Sequence, residues 1–501
     1  MQNSIKSQIY GWSKSYEIYP ATENALRFAV FDDTLVMNSF CSCYVDDACS
    51  FITKLDTAGN IIKTKEFHKV GKPIQLGSLS NILKTKTGYC LTGDDSWDND
   101  TSKVQTQHFY QFSNNLDTIK RTYIPTLKNL SQYGVNLVFY PKDSIYTMMA
   151  LKEITKNPYT YKINVTAIDK NESILWQYDY FSPKYKFNTV GDIIKNTDTS
   201  MVISLRVGAW RIHYFSLNLK GQLLWEYTED EGQIDGLIDP STFLPLIADL
   251  NGKDIVRTWY VGSLLPSGND ALPEISRLSY NGNKKWTTLF TEYFGGPGFF
   301  PNTKANKIIE PRIQQFIKAK NGDYLGVGYA FVRENHWTNG LPNYECGFAF
   351  RIDSNGVMKW QRLYVDLEKE KFGPMLLFNI AEADDGAIYL SGEIRDSIPN
   401  VPGSTLNGNI WLIKVGPDGC ITPGCTDTVL KVATTKLLNQ HPHLLSVFPN
   451  PGSDKVTIGW NDVPSPPKTL EIRTMAGQLI RSDHIDGNGG NATIDVSYLQ
   501  G

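Results

Sequence analysis

The sequence predicts an all-β protein: a β-propeller of about seven blades, followed by a second, smaller β unit at the C-terminus. Three observations predict it. A two-strand unit recurs along the chain, as repeat architectures require. Aromatic residues reach 12%, with 26 Tyr, 23 Phe and 11 Trp, and flat side chains pack well on pleated surfaces. No long stretch carries the 3.6-residue apolar period of an amphipathic helix.

The recurring unit is an apolar alternating run, a short turn rich in Asp, Asn or Gly, and a second alternating run that often carries Trp. Phe51 to Asp56 leads through Thr57-Ala58-Gly59-Asn60 to Ile61-Ile62, and Phe350 to Asp353 leads through Ser354-Asn355-Gly356 to Trp360. Between them lie Ile168-Asp169 with Trp176, Leu217 to Gly221 with Trp225, and Leu278 to Gly282 with Trp286. Phe109 to Ile119 is a weaker copy, and Trp411 to Ile421, through Pro417-Asp418-Gly419, is the last. Alternation marks half-buried strands, and Asn-Gly or Asp-Gly supplies the positive φ of a tight hairpin turn. The seven turns are spaced by about 50–75 residues, near the period of the larger propeller repeats.

A second signature precedes several copies: Thr87 to Gly93, Asn321 to Gly328, and Asp385 to Gly392. Each is a turn, a short apolar strand and a closing Gly. Two hairpins per period make four strands, which is one blade. The competing architecture is an array of β-sandwiches with a similar hairpin, and divergence of the copies leaves six or eight blades open. Tyr10 to Tyr16 resembles the strand that ends a repeat but has no hairpin before it. It is expected to close the ring by joining the last blade, which would also remove an exposed sheet edge.

The formal net charge is -3, so nothing points to an electrostatic grip on nucleic acid. No apolar run approaches the roughly 18–20 residues that cross a bilayer as a helix. Met1 to Ser15 is polar and lacks the apolar core of a signal peptide. The chain is therefore either cytosolic or has lost a leader. The cysteines favour the second reading. Cys41, Cys43 and Cys49 share one short segment, and Cys420 and Cys425 flank Ile-Thr-Pro-Gly. Such spacings suit small disulfide loops outside a reducing cytosol. Cys90 and Cys346 lie in strand-like runs and are expected to be buried free thiols. Cys41-x-Cys43 lacks the second ligand pair that a zinc site needs.

At the C-terminus, Ser446 to Ile458, through Phe448-Pro449-Asn450-Pro451, resembles the opening of a type IX secretion sorting domain of the common type A class. Leu470 to Ile480, around Gly477, resembles its middle strand pair. Ile494 to Gly501, with Asp495 and Leu499, resembles its third motif. The upstream repeats likewise resemble the propellers of secreted Bacteroidetes proteins. The resemblance implies a small immunoglobulin-like β-sandwich that directs the protein across the outer membrane, to be secreted or held at the cell surface. It implies the type IX translocon and sorting machinery as partners, and Phe448, Pro449, Asn450, Pro451, Gly477, Asp495, Leu499 and Gly501 as the secretion signal. The family runs on past the third motif, so the sandwich is expected to be truncated at Gly501. The domains are then a propeller over 1–425, a linker over 426–445 and the sorting domain over 446–501. Phe-Pro-Asn-Pro by itself would suit any strand entry of an ordinary immunoglobulin-like module.

Chemistry is sparse. The seven His residues are scattered, and the one close pair, His441 and His443, sits in the linker without a third ligand. There is no G-x-S-x-G elbow, no H-E-x-x-H and no phosphate-binding loop. Trp at the repeat position could mark a quinone enzyme, but a packing role suits it better. Two acidic segments are candidates for calcium, which prefers carboxylate oxygens. One holds Asp94, Asp98 and Asp100 near Trp97; the other holds Asp249, Asn251 and Asp254, shaped like the calcium loops of integrin-type propellers, but with Lys253 where an oxygen ligand would stand. The expectation is no cofactor, with calcium as the exception at those two places. The preferred function is a non-enzymatic binding or adhesion module for a glycan or surface protein. The alternatives are an enzyme acting on extracellular polysaccharide or peptide, and a structural component of the surface or gliding machinery.

Overall fold

A computed structural model describes residues 11–17, 22–42, 49–67, 75–76, 82–95, 106–124, 132–140, 145–156, 159–169, 171, 173–180, 187–207, 211–230, 246–248, 254–262, 271–290, 308–333, 344–366, 374–396, 407–425, 429–431, 434–438, 446–448, 455–459, 469–473, 479–484 and 491–495. Every regular element among them is a strand. Seven sheets form the blades of a propeller.

Blade one is Thr22–Phe31, Thr34–Ser42, Cys49–Asp56 and Ile61–Phe67. Blade two opens with the short strands Gln75–Leu76 and Leu83–Lys84, then Gly88–Asp95, Thr106–Ser113 and Thr118–Ile124. Blade three is Gln132–Tyr140, Ile145–Lys156, Tyr159–Ile168 and Ile174–Tyr180; blade four is Phe187–Thr197, Ser200–Val207, Arg211–Asn218 and Leu223–Asp230. Blade five is Leu246–Ala248, Asp254–Gly262, Ala271–Ser279 and Lys284–Leu289; blade six is Ile308–Lys318, Tyr324–Arg333, Tyr344–Ile352 and Met358–Val365. Blade seven is Met375–Glu382, Ile388–Asp396 and Asn407–Val415, and takes its fourth strand, Trp12–Glu17, from the other end of the chain. The ring is thus closed by the N-terminal strand. Gly11 N donates to Ile421 O at 2.7 Å, and Trp411 Nε1 donates to Ser13 Oγ at 2.9 Å.

The first strands of blades three to seven pack on one another in succession, and that of blade seven packs on that of blade one, so these strands form the inner ring around the channel. Second and third strands are covered on both sides and read as apolar runs such as Met201-Val202-Ile203 and Phe348-Ala349-Phe350, all without exposed surface. Fourth strands are the rim, and alternate; Ile62, Leu175 and Leu224 face solvent there. The apolar cores lie between blades. The largest runs from Val256 and Ile275 of blade five through blade six to Ile413 and Val415 of blade seven.

Successive blades are latched at one face. Trp176, Trp286 and Trp360, each on a fourth strand, lie over the turn glycines Gly221, Gly356 and Gly419 of the next blade. Each indole N–H also donates to a carbonyl of that turn: Trp176 to Leu219 at 2.6 Å, Trp286 to Ser354 at 3.1 Å and Trp360 to Pro417 at 3.0 Å. Trp12 repeats the arrangement on Gly59 across the ring closure, where Lys14 Nζ donates to Ala58 O at 2.7 Å. Tyr227 stands in for Trp on Gly282. Only glycine, free of a Cβ, lets an indole lie flat on a turn whose φ is positive. Between blades one and two the latch is polar instead: Lys63 Nζ pairs with Asp117 at 3.2 Å and Lys54 Nζ donates to Asn114 O at 3.1 Å.

The contacts divide the chain into two compact units, Met1–Ser15 with Pro20–Lys436, and Tyr16–Tyr19 with Leu437–Gly501. Val429–Lys431, inside the expected linker, pairs parallel with Met358–Val365 of blade six. In the second unit Ser446–Phe448, Lys455–Gly459 and Asn491–Asp495 form one sheet, and Thr469–Arg473 pairs with Leu479–His484 in another. None of the described helices is long and apolar enough to cross a membrane, because the described residues contain no helix.

Candidate functional site: a polar ring in the channel

The first strands carry a feature that repeats with the blades. In five of them the pairing with the second strand slips partway along: between Ala25 and Arg27, Tyr133 and Asn136, Val190 and Ile193, Ile313 and Gln315, and Leu377 and Asn379, with two further slips in blade four. A bulge of this kind bends the strand and re-aims a side chain. At it stands a polar residue followed by a large apolar one: Arg27-Phe28, Asn136-Leu137, Asp192-Ile193, Gln315-Phe316 and Asn379-Ile380. Phe28, Ile193, Phe316 and Ile380 are buried in the blades, which directs the preceding residue to the channel side.

Small residues in the second strand admit the extra backbone. A Cβ on Gly392 would collide with the Leu376 carbonyl, and one on Gly328 with that of Arg312. These are the closing glycines of the upstream signature. In blade four the small residue is Ser204, whose Oγ accepts from Asp192 N at 2.9 Å.

Four ring side chains are described. Arg27 of blade one donates through Nη1 to Asn379 Oδ1 of blade seven at 3.4 Å. Gln315 Oε1 of blade six accepts from Ile380 N of blade seven at 2.6 Å. Asp192 Oδ1 accepts from Ile193 N at 2.9 Å. Arg27 of blade one and Asp192 of blade four belong to different blades, yet their charges interact. Burial pushes the Asp192 carboxyl up to about 6, against the opposing pull of Arg27. The same burial lowers Arg27, with Asp192 acting to raise it. Both side chains are partly buried.

Other buried charges are consumed inside the sheets. Arg257, 1% exposed, donates through Nε to Glu229 Oε2 at 2.9 Å and pairs with Glu274 at 3.1 Å. Glu393, fully buried, is paired with Arg395; burial raises its carboxyl and Glu345 raises it further.

Of the residues singled out by sequence, Asp254 is 5% exposed and its Oδ2 is held by Arg277 at 2.8 Å and Lys285 at 2.7 Å. Both cations hold the same oxygen of this carboxylate, Oδ2. Asp94 is paired through its backbone with Gln75 and Gln107. Asp98, Asp100, Asp249 and Asn251 lie outside the described residues. Among the described residues no cluster of His, Cys, Asp or Glu is arranged to hold a metal ion. Cys420 and Cys425 are joined by a disulfide with Cα atoms 5.7 Å apart. The loop is held further by Asp418, which accepts from Cys420 N and Gly424 N, both at 3.1 Å. Cys90 and Cys346 are buried and unbridged. Cys41 and Cys49 face each other in register across their hairpin. In the secretion signal, Phe448 pairs with Thr457 and Asp495 with Lys455; Pro449, Asn450, Pro451, Gly477, Leu499 and Gly501 lie outside the described residues.

The ring was not found by reading the sequence, though its signal was there: a polar residue at one register position of successive repeats. Its members are separated by up to about 350 residues, and a motif search does not join them.

No curated protein matches the chain. Among solved structures it is similar to a polysaccharide lyase at 9% identity, with a TM-score of 0.42 over 83% of this chain and 94% of that one. It is similar to a member of the duf4221 family from Bacteroides vulgatus at 11% identity and a TM-score of 0.34, over 68% and 92%. A neuraminidase-like protein of a little yellow-shouldered bat isolate is 6% identical with a TM-score of 0.37, over 64% and 94%. Residues 446–501 match the family described as the secretion system C-terminal sorting domain. A seven-bladed propeller that ends in this domain is a secreted or cell-surface protein, carried by the type IX secretion system.

Proposed function

We propose that the propeller is a non-enzymatic binding module which the sorting domain delivers to the cell exterior, where it engages an extracellular glycan or surface protein. One observation carries this reading: the two faces of the propeller are built differently. On the latched face the connections are short, from 32–33 to 353–357, and their turns are covered by the neighbouring blade. The connections that leave the opposite face are unequal in length, from 157–158 and 208–210 to 231–245 and 290–307. Variable connections on a rigid scaffold are where recognition is usually built. The inner strands add the polar residues Arg27, Asp192, Gln315 and Asn379.

An enzymatic reading has one observation in its favour. A carboxyl near 6, as burial makes Asp192, is suited to proton transfer near neutral pH. Glycosidases use two carboxyls about 5–10 Å apart, so a second carboxyl at that distance from Asp192 would be the mark of the enzymatic reading.

The test is a pull-down from native surface fractions, using the protein with and without residues from Ser446 onward, together with an assay for new reducing ends on extracellular polysaccharides. Retention of a glycan or surface protein by the shortened chain, without cleavage, is expected. Cleavage lost in Asp192→Asn would replace the binding reading with the enzymatic one.

A further inference from the structure

We propose that two strands after the last blade, Val429–Lys431 and Thr434–Leu438, form a clasp that locks the ring closure, and that the Cys420–Cys425 disulfide is its redox-dependent anchor. This does not depend on what the propeller binds.

The closure is non-covalent. Trp12–Glu17 completes blade seven from the far end of the chain, beside Asn407–Val415. The fourth strand of a blade is ordinarily a sheet edge, and an edge strand close to a chain terminus frays most easily. Here the other side of that strand is covered, because Thr434–Leu438 is the next strand of the same sheet. Just before it, Val429–Lys431 pairs in parallel with Leu363 to Val365 of blade six. Leu430 is buried there, in the core that runs from blade five to blade seven. One tail strand therefore grips blade six and the next grips the closing strand. Only residues 432 and 433 separate them, so the two grips are mechanically coupled.

The disulfide stands where this tail begins. Cys420 is buried, and Cys425 packs against the same core. Between them Ile421 O accepts from Gly11 N, immediately before the closing strand, at 2.7 Å. Gly11 fits closely, since a Cβ there would meet the Lys414 carbonyl and the Ile421 backbone. The bridged loop is thus a platform for the closing strand. It is also the point from which the chain returns to blade six, residues 426 to 428 joining Cys425 to Val429. Reduced, the loop regains the freedom that the bond removes. A dithiol breaks the bond by passing two electrons and two protons to the pair, and is itself oxidised to a disulfide. Thiols of a reducing cytosol therefore keep the clasp slack, and an oxidising exterior sets it.

The experiment is hydrogen–deuterium exchange with mass spectrometry on the full chain. It compares peptides over Trp12–Glu17 and 429–438 with peptides over blades three and four. When Cys420 and Cys425 are both replaced by Ser, protection of the first two should fall about tenfold or more, while blades three and four keep theirs. Dithiothreitol should reproduce the fall in the parent and add nothing in the Ser variant, which separates this bond from the other cysteines. Leu430→Asp loosens the grip on blade six and leaves both cysteines in place. It should also lower the protection of Trp12–Glu17, and it serves if the Ser variant does not fold by circular dichroism. Unchanged protection of Trp12–Glu17 in either folded variant would show that the closing strand is held without the clasp, and would overturn the inference. So would an equal fall in blades three and four, which would make the bond a contributor to overall stability alone.

Discussion

Replacing Trp360 by Ala tests the latch where it is most buried. Trp360 is 8% exposed and lies over Gly419, where a Cβ would stand 2.9 Å from the indole. Removing a buried Trp costs about 3–5 kcal/mol, the loss of burial plus the cavity left behind. The hydrogen bond to Pro417 O adds little, about 1 kcal/mol, because that carbonyl keeps Arg351 Nη1 as a donor at 3.2 Å. The expected loss is therefore about 3–4 kcal/mol. Trp176 and Trp286 occupy the same register but are only partly buried, so their Ala variants should lose about 1–2 kcal/mol, in proportion to the smaller area removed from water. Urea unfolding followed by far-ultraviolet circular dichroism gives the three midpoints. Equal midpoints, or a larger loss at Trp176 than at Trp360, would show that the latches do not act through burial and would refute this account.

Other expectations follow from single sites. Gly419→Ala should destabilise by about 2 kcal/mol in the same assay, since φ is +75° there and the new Cβ meets the indole. Replacing Cys420 and Cys425 by Ser should cost about 2 kcal/mol, the chain-entropy value for so short a loop, and a reducing agent should lower the melting temperature of the parent but not of the variant. Arg257→Met should cost about 3–5 kcal/mol by stranding Glu229 and Glu274, whereas changing all three to apolar residues together should cost far less. Asp192 makes stability depend on pH. Its folded carboxyl titrates near 6 rather than 3.8, so the folded state binds the proton more tightly and is favoured below pH 4. That advantage, at most about 3 kcal/mol, is lost as pH rises through 6. His213, lowered to about 4 by burial, acts in the opposite sense over the same range. The comparison must therefore be between the parent and Asp192→Asn, whose stability relative to the parent should rise from pH 4 to pH 7; a pH-independent difference would assign the carboxyl no such role.

What the sequence revealed, and what it did not, divides along the range of the signal. The outer hairpin of each blade was legible because alternation and a Gly-containing turn are local, and both lie within a dozen residues. The closing strand was legible because Tyr10 to Tyr16 has the pattern of a rim strand with no hairpin of its own, and a propeller has one place for it. Trp176, Trp286 and Trp360 could be assigned to packing, but not to a partner: the turn each one covers lies 43 to 68 residues further on. The ring was hidden for a related reason. Arg27 and Asn379 meet only because the ring closes, and a bulge breaks the alternation by which an inward residue would be recognised. The secretion signal needed no fold at all, since three short motifs in order identify it.

The latch also bears on which face is available for function. Blades one, two and four to seven commit a short turn to the neighbouring Trp, Tyr or Lys, so a change in a latched turn is felt as lost stability before it can be tried as a binding surface. The opposite face carries no such commitment among the described residues, and its connections differ in length from blade to blade. A scaffold divided in this way can vary one face while the other holds the ring together. The channel joins the two roles, because the bulges that shape its polar ring sit on the strands that hold the blades to one another. Changes to these residues should therefore be conservative in shape, as Asp192→Asn is, if they are to report on charge rather than on packing between blades.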